Sequence, residues 1–270
     1  MIELVPPPLH LLPWCEGAVV IRSGVELTES SFPAMLSAML TVRLEGRVHD
    51  EHGTPLPRAT FHGLSTRQRT YHHRGPVLAV GLILTAEAGP CLIDPPARSL
   101  VDAVLDAAAV FGASWTEAAQ AVDRSASSDH GVGALFAFLE GRTREPGRDA
   151  RRTQLADLAM HASNRDAEVA PHMAVGARQF ERRFRSGYGI GPHRFRLIGR
   201  LRASLDELAT GRSGDADLAV ERGYYDQAHL ARDLRRLVGH TARDIVQVSS
   251  RADRPLWPIG VGARTHRRAR

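Results

Sequence analysis

The 270-residue sequence contains no lysine; all 35 residues of its Lys+Arg complement are arginine. Every cationic contact the chain makes outside histidine and its amino terminus is therefore a guanidinium, suited to bidentate contact with guanine or phosphate. Cysteine is nearly as scarce. Cys15 and Cys91 are too few for a disulfide framework or a cysteine-built zinc site and read as reduced thiols. Long apolar runs are missing too: a stretch such as Val77–Leu84 falls far short of the roughly 20 residues a membrane span needs. The opening Met1–Pro8 is acidic and proline-rich, unlike a secretory signal. A cytoplasmic protein with no membrane partner is the expectation. No glycine-rich phosphate loop, nucleophile elbow or zincin motif occurs, and nothing argues for an enzyme.

Charge is present but unevenly distributed. Residues 1–150 carry 12 arginines against 17 acidic residues, a balance of −5, whereas residues 151–270 carry 23 against 13, a balance of +10. An acidic front half joined to a basic back half points to a polyanion as partner of the back half alone.

The front half reads as strands followed by helices. Gly17–Arg22 is a short apolar run. Between Ala34 and Leu44, apolar residues recur at every second position, the strand period. His49–Pro57 reads as a loop; Arg58–Leu64 and Arg69–His73 read as short strands and Gly75–Ala86 as a buried one. Ala97–Phe111 then shows helical spacing, with Asp102 and Asp106 on one solvated face. Ser114 is placed to cap Trp115–Val122, and Val132–Glu140 predicts a further helix. Strands first and helices after predict an α+β domain or a sandwich backed by helices over residues 1–140. Gly141–Asp149 lacks any apolar residue and is the linker candidate, giving a linker over 141–150. A helical domain follows over 151–250, and then a basic tail, 251–270, with the composition of a disordered segment.

Within the helical half one pattern occurs twice. Asp217–Arg222 makes a short helix burying Leu218 and Ala219, and Gly223 supplies a turn. Asp226 is placed as an N-cap, and Gln227–Val238 forms a helix with Leu230, Leu234 and Leu237 inward. Gln227, His229, Arg232 and Arg236 are left outward. This is a helix-turn-helix arrangement, whose second helix enters the major groove N-terminus first, where glutamine reads adenine and arginine guanine. The earlier copy, Ala167–Gly187, turns Phe180 and Phe184 inward and Arg178, Glu181, Arg182 and Arg185 outward. A helix over Leu197–Leu208 connects the two; readers one DNA turn apart sit roughly 34 Å, or 10 bp, from each other.

At these residues, Arg178–Arg185, Gly189–Pro192 and Gly223–Gly239, the chain resembles the DNA-binding domain of AraC/XylS-type transcriptional regulators over about residues 151–248. The resemblance implies an all-α double helix-turn-helix domain on a shared linker helix. It implies base-facing residues Arg178, Glu181 and Arg182 in one unit and Gln227, His229 and Arg232 in the other. Pro171, Ala174 and Gly176 depart from the pattern and imply a less stable first unit; His240-Thr241 implies an altered start to the last helix. More loosely, Gly75–Ile93 with Ala97–Gly112 resembles the sensor-like domain of an AraC subgroup, a cupin-like β-sandwich with trailing helices. The implied whole is an α+β two-domain regulator binding double-stranded DNA, with RNA polymerase, a small-molecule effector and a homodimer as candidate partners, and no cofactor. Two other classes compete: a metal-dependent cupin-like enzyme fused to a helical module, and a regulator acting mainly through protein contacts. His49 and His52 flank Asp50-Glu51, but the spacing of a cupin metal site is missing, so no metal is expected. Phe61, Phe111 and Trp115 read as core aromatics.

Overall fold

The computed structural model describes residues 2–24, 28–123, 128–163, 176–212 and 214–249. Its strands are β1 (Ile2–Val5), β2 (Cys15–Ser23), β3 (Glu29–Phe32), β4 (Ala38–His49), β5 (Ala59–His62), β6 (Arg69–Leu84) and β7 (Val104–Asp106). They form one sheet in the order β1-β2-β6-β4-β5-β7, with β3 paired to another part of β6 and every pairing antiparallel. The two strands expected over 69–73 and 75–86 are one, because β6 runs on through Gly75 at φ +78°. Its partner β4 starts later than the alternation suggests and bends at register shifts around Arg43 and Glu45. Extra residues at such bulges increase the twist of a long strand.

The sheet buries both faces differently. Ala18, Val20, Leu40, Val42, Val80 and Leu82 lie on the face packed beneath the helices. Helices α1 (Ala88–Leu92), α2 (Ala97–Leu100), α3 (Ala107–Phe111), α4 (Ala113–Asp123) and α5 (Ser128–Thr143) follow the strands in the chain. Phe61 meets Phe111 edge-to-face at 5.7 Å, and Phe138 meets Trp115 at 5.2 Å, so these aromatics are core. On the opposite face Val19, Met35, Met39 and Ile83 form a separate apolar cluster with Ile2, Leu4, Ile21 and Phe32.

The helix expected over Ala97–Phe111 is instead α2, β7 and α3. Asp102 breaks it, adopting a left-handed φ of +57°. Its carboxylate accepts from Thr66 N at 2.9 Å and Thr66 Oγ1 at 2.7 Å, and its own N–H donates to Leu64 O. Satisfying a strand-loop backbone here outweighs a few residues of helical propensity. Asp106 pairs in β7 opposite Thr60 and then caps α3 through Ala108 N at 2.7 Å. The two carboxylates thus have separate structural tasks. Ser114 does not cap α4; its hydroxyl donates to Phe111 O.

Helices α6 (Arg148–Ser163), α7 (Ala177–Tyr188), α8 (Pro192–Ala209), α9 (Ala216–Glu221), α10 (Gln227–Leu237) and α11 (Ala242–Ser249) follow among the described residues. They share one continuous hydrophobic core with the sheet. At the seam Ala34 N donates to Leu237 O at 2.9 Å and Arg194 donates to Thr66 O, while within the helical half Tyr188 Oη donates to Leu155 O at 2.7 Å. Gly189 ends α7 at φ +76°, and a Cβ there would stand 2.6 Å from Ala97 O.

Two stability outcomes follow from these contacts. Gly189→Ala meets a left-handed backbone and a carbonyl together and loses about 1–3 kcal/mol. Gly133→Ala, in α5 with open space around its α-carbon, gains about 0.5–1 kcal/mol. Urea unfolding of the two variants checks the opposite signs. The second outcome concerns His62, packed among Thr41, Thr60 and Tyr71. Burial lowers its imidazole pKa from the usual 6.5 to about 4. Between those values the unfolded chain binds a proton that the folded chain refuses, so this group subtracts stability as pH falls from about 6.5 towards 4. His62→Gln flattens that part of the pH–stability profile; an unchanged profile would contradict the assignment.

Candidate nucleic-acid interface

The second helix pair is built as its residues dictate. Asp215 caps α9 by accepting from Leu218 N at 2.9 Å, and Leu218 and Ala219 are buried. Gly223 turns the chain at φ +76°, a conformation that costs glycine nothing. Tyr224 is buried, whereas Tyr225 is 88% exposed. Asp226 sits in extended backbone and accepts from His229 N at 2.7 Å, starting α10. Leu230, Leu234 and Leu237 face inward, and Gln227, Arg232 and Arg236 are exposed. Gln227 Nε2 donates to Gly214 O at 2.9 Å, and Arg232 Nε donates to Ala228 O at 3.3 Å. His229 is only half-exposed, its ring edge-on to Tyr224 at 5.2 Å. After α10, Thr241 and Asp244 cap α11 reciprocally, Thr241 N donating to Asp244 Oδ2 and Asp244 N to Thr241 Oγ1.

The first unit is described from Gly176 onward; the leading helix expected from Ala167, with Pro171 and Ala174, lies outside the described residues. Gly176 begins α7 without a side-chain cap. Arg178, Glu181, Arg182 and Arg185 are all exposed along it. Arg185 pairs with Glu181 at 2.8 Å, one turn away. Phe184 is buried and stacks on Tyr188 at 4.8 Å, while Phe180 is half-buried. Between the units α8 begins earlier than its apolar spacing suggests, at Pro192, a residue suited to the first helical position. Phe195, Ile198, Leu201, Leu205 and Leu208 are buried along it.

Helices α7 and α10 are both held at their C-terminal ends, α7 by Gly189 against Ala97 and α10 by Leu237 O at Ala34 N. Their N-terminal turns are exposed. That is the end which enters a major groove and whose backbone dipole favours phosphate. Elsewhere in the domain arginines are neutralised: Arg202 pairs with Asp206 at 3.2 Å, Arg212 with Glu221 at 2.7 Å, and Arg222 with Glu207. Sequence reasoning overlooked one internal pair. Arg200 Nη2 on α8 lies 3.5 Å from Asp233 Oδ2 on α10. The signal was available, since Asp233 falls between Leu230 and Leu234 on the apolar stripe, where an acid needs a partner.

Removing the Asp226 cap by Asp226→Ala costs about 1 kcal/mol and weakens DNA binding, read by thermal unfolding and a duplex titration; unchanged values in both would show the cap to be idle.

Among the described residues no helix is long and apolar enough to cross a membrane. No curated relative matches the chain by sequence. Solved structures similar to it include ToxT from Vibrio cholerae O395, with 8% identity, 84% of this chain and 96% of that one covered, and a TM-score of 0.44. ToxT bound to (E)-4-(8-methylnaphthalen-1-yl)but-3-enoic acid gives 9% identity, 86% and 98% coverage, and a TM-score of 0.48. ToxT from strain SCE256 bound to an unsaturated fatty acid gives 8%, 84% and 94%, and 0.42. Residues 169–247 match the family model described as a helix-turn-helix domain. The match gives the carboxy-terminal part of the chain a helix-turn-helix domain.

Proposed function

We propose that this chain is a sequence-specific transcriptional regulator that reads adjacent major-groove segments of duplex DNA through α7 and α10. The observation that carries the reading is the exposure of polar and cationic side chains on the N-terminal turns of two helices that are anchored at their other ends. Arg178 and Arg182 on α7, and Gln227 and Arg232 on α10, are the side chains offered to bases. Glu181 and Arg185 form an ion pair beside the first set. Arg236 stands near the anchored end of α10 and suits a phosphate contact. The chemistry is recognition rather than catalysis.

The sheet supports a second component of the same reading, an effector site on its face opposite the helices. Cross-strand register brings Ile2 beside Ile21, Leu4 beside Val19, and Met39 between Ile83 and His62. Next to this apolar area Thr41, Thr60, His62 and Tyr71 form a polar network, with Thr41 and Thr60 hydroxyls 2.7 Å apart and His62 Nδ1 3.2 Å from Tyr71 Oη. An apolar area with a few convergent polar groups suits a small molecule that is apolar at one end and polar at the other.

Selection of duplexes from a random pool by the full-length protein, followed by salt titration, tests the reading. A defined motif should emerge, with affinity falling steeply as salt rises. Arg232→Ala should then cost about 1–3 kcal/mol and relax preference at one position, while a phosphate contact such as Arg236 weakens all sequences alike and lowers the salt slope by about one. A pool that yields no motif overturns the proposal.

A further inference from the structure

Beneath the outer surface of α10, a set of side chains ties its first turns to the linker helix. The Arg200 guanidinium of α8 lies over the Tyr224 ring, 4.1 Å from its centroid, and its Nη1 donates to Gly223 O at 2.9 Å. Its Nη2 faces Asp233 Oδ2 at 3.5 Å. The Asp233 side chain is 10% exposed, and Oδ2 has no hydrogen bond. His229, one turn earlier on α10, places Nε2 3.8 Å from that same oxygen. Its Nδ1 faces the backbone N–H of Tyr225 at 3.5 Å.

Both imidazole nitrogens are therefore engaged within the domain, Nε2 by the buried carboxylate and Nδ1 by a main-chain N–H. With Nδ1 accepting from the Tyr225 N–H, Nε2 is the nitrogen that faces the carboxylate. A carboxylate oxygen this deeply buried is costly to leave without a donor. Among the described residues, the donors facing it are the Arg200 guanidinium and the His229 imidazole. Turning His229 outward to reach a base edge would remove one of the two and uncover the Tyr224 ring. A histidine so committed reads no base.

Resting on the regulator reading above, we propose that His229 is a positioning residue and that the series Arg200–Asp233–His229 sets the pose in which Gln227 and Arg232 meet the groove. Arg200 holds the turn through Gly223 O and holds α10 through Asp233. Asp233 in turn holds the ring that packs on the Tyr225 N–H. The linker helix thereby fixes the roll of the second recognition helix about its own axis, and with it which bases the outward side chains reach.

The test is a double-mutant cycle in the full-length protein on a duplex that the wild type selects from a random pool. Affinity, salt slope and base preference at every position are measured for His229→Ala, Asp233→Asn and their combination, with thermal unfolding alongside. Each single variant should weaken binding about tenfold, of the order of one mismatched base pair, with the salt slope unchanged. Each should broaden preference across the whole segment read by α10 and leave the α7 segment intact. The double variant should be no weaker than the poorer single one. If His229→Ala erases preference at one base pair while Asp233→Asn leaves it, or if the two losses add, His229 reads a base and the proposal is overturned. Should Asp233→Asn fail to fold, Arg200→Lys, which keeps the charge but loses the planar stack and its fork, takes its place in the cycle. A wild type that selects no motif removes the regulator reading itself, an outcome distinct from either of these.

Discussion

Main-chain contact between the helical half and the sheet half is the constraint on which the architecture rests. At Gly189 the backbone comes too close to Ala97 O to admit a β-carbon. At Ala34 and Leu237 an amide of one half bonds the carbonyl of the other, and Arg194 reaches the Thr66 carbonyl. Main-chain groups have no rotamers with which to relax, so such a seam transmits position more faithfully than side-chain packing alone. Because α7 and α10 are each held near their C-termini, the sheet and α8 together set how their two exposed N-terminal turns are oriented. The shared hydrophobic core makes the halves one cooperative body instead of two beads on a tether.

Within that body, charge is partitioned by purpose. Some arginines of the back half are matched by its own acids: Arg202, Arg212 and Arg222 lie against carboxylates on or near α8 and α9. What remains outward includes Arg178 and Arg182 on α7 and Arg232 on α10. Arg200 belongs to neither group. It is a structural cation beneath the reading surface, where its planar shape both stacks and hydrogen-bonds, a combination that lysine lacks.

Features set by local chemistry were legible from the residues alone. Gly223, the Asp226 cap and the leucine spacing specify the second helix pair within a short window, and all appear where expected. Features set by distant partners were not. The spacing over Ala97–Phe111 is helical, yet Thr66 and the β5 edge claim Asp102 and Asp106 from across the fold. Two expected strands merge into β6 because β2, β3 and β4 all pair along it, whatever Gly75 suggests locally. Of the candidate site, the exposed positions on both helices were readable from amphipathic spacing. The contact of His229 with Asp233 was not, since it depends on an acid one turn later that an arginine from a different helix also faces.

The seam also has a direction in time. Its sheet-side residues, Ala34, Thr66 and Ala97, precede its helix-side residues, Gly189, Arg194 and Leu237, in the chain. A chain made from its amino terminus therefore has every residue of the docking surface synthesised before the helices that rest on it.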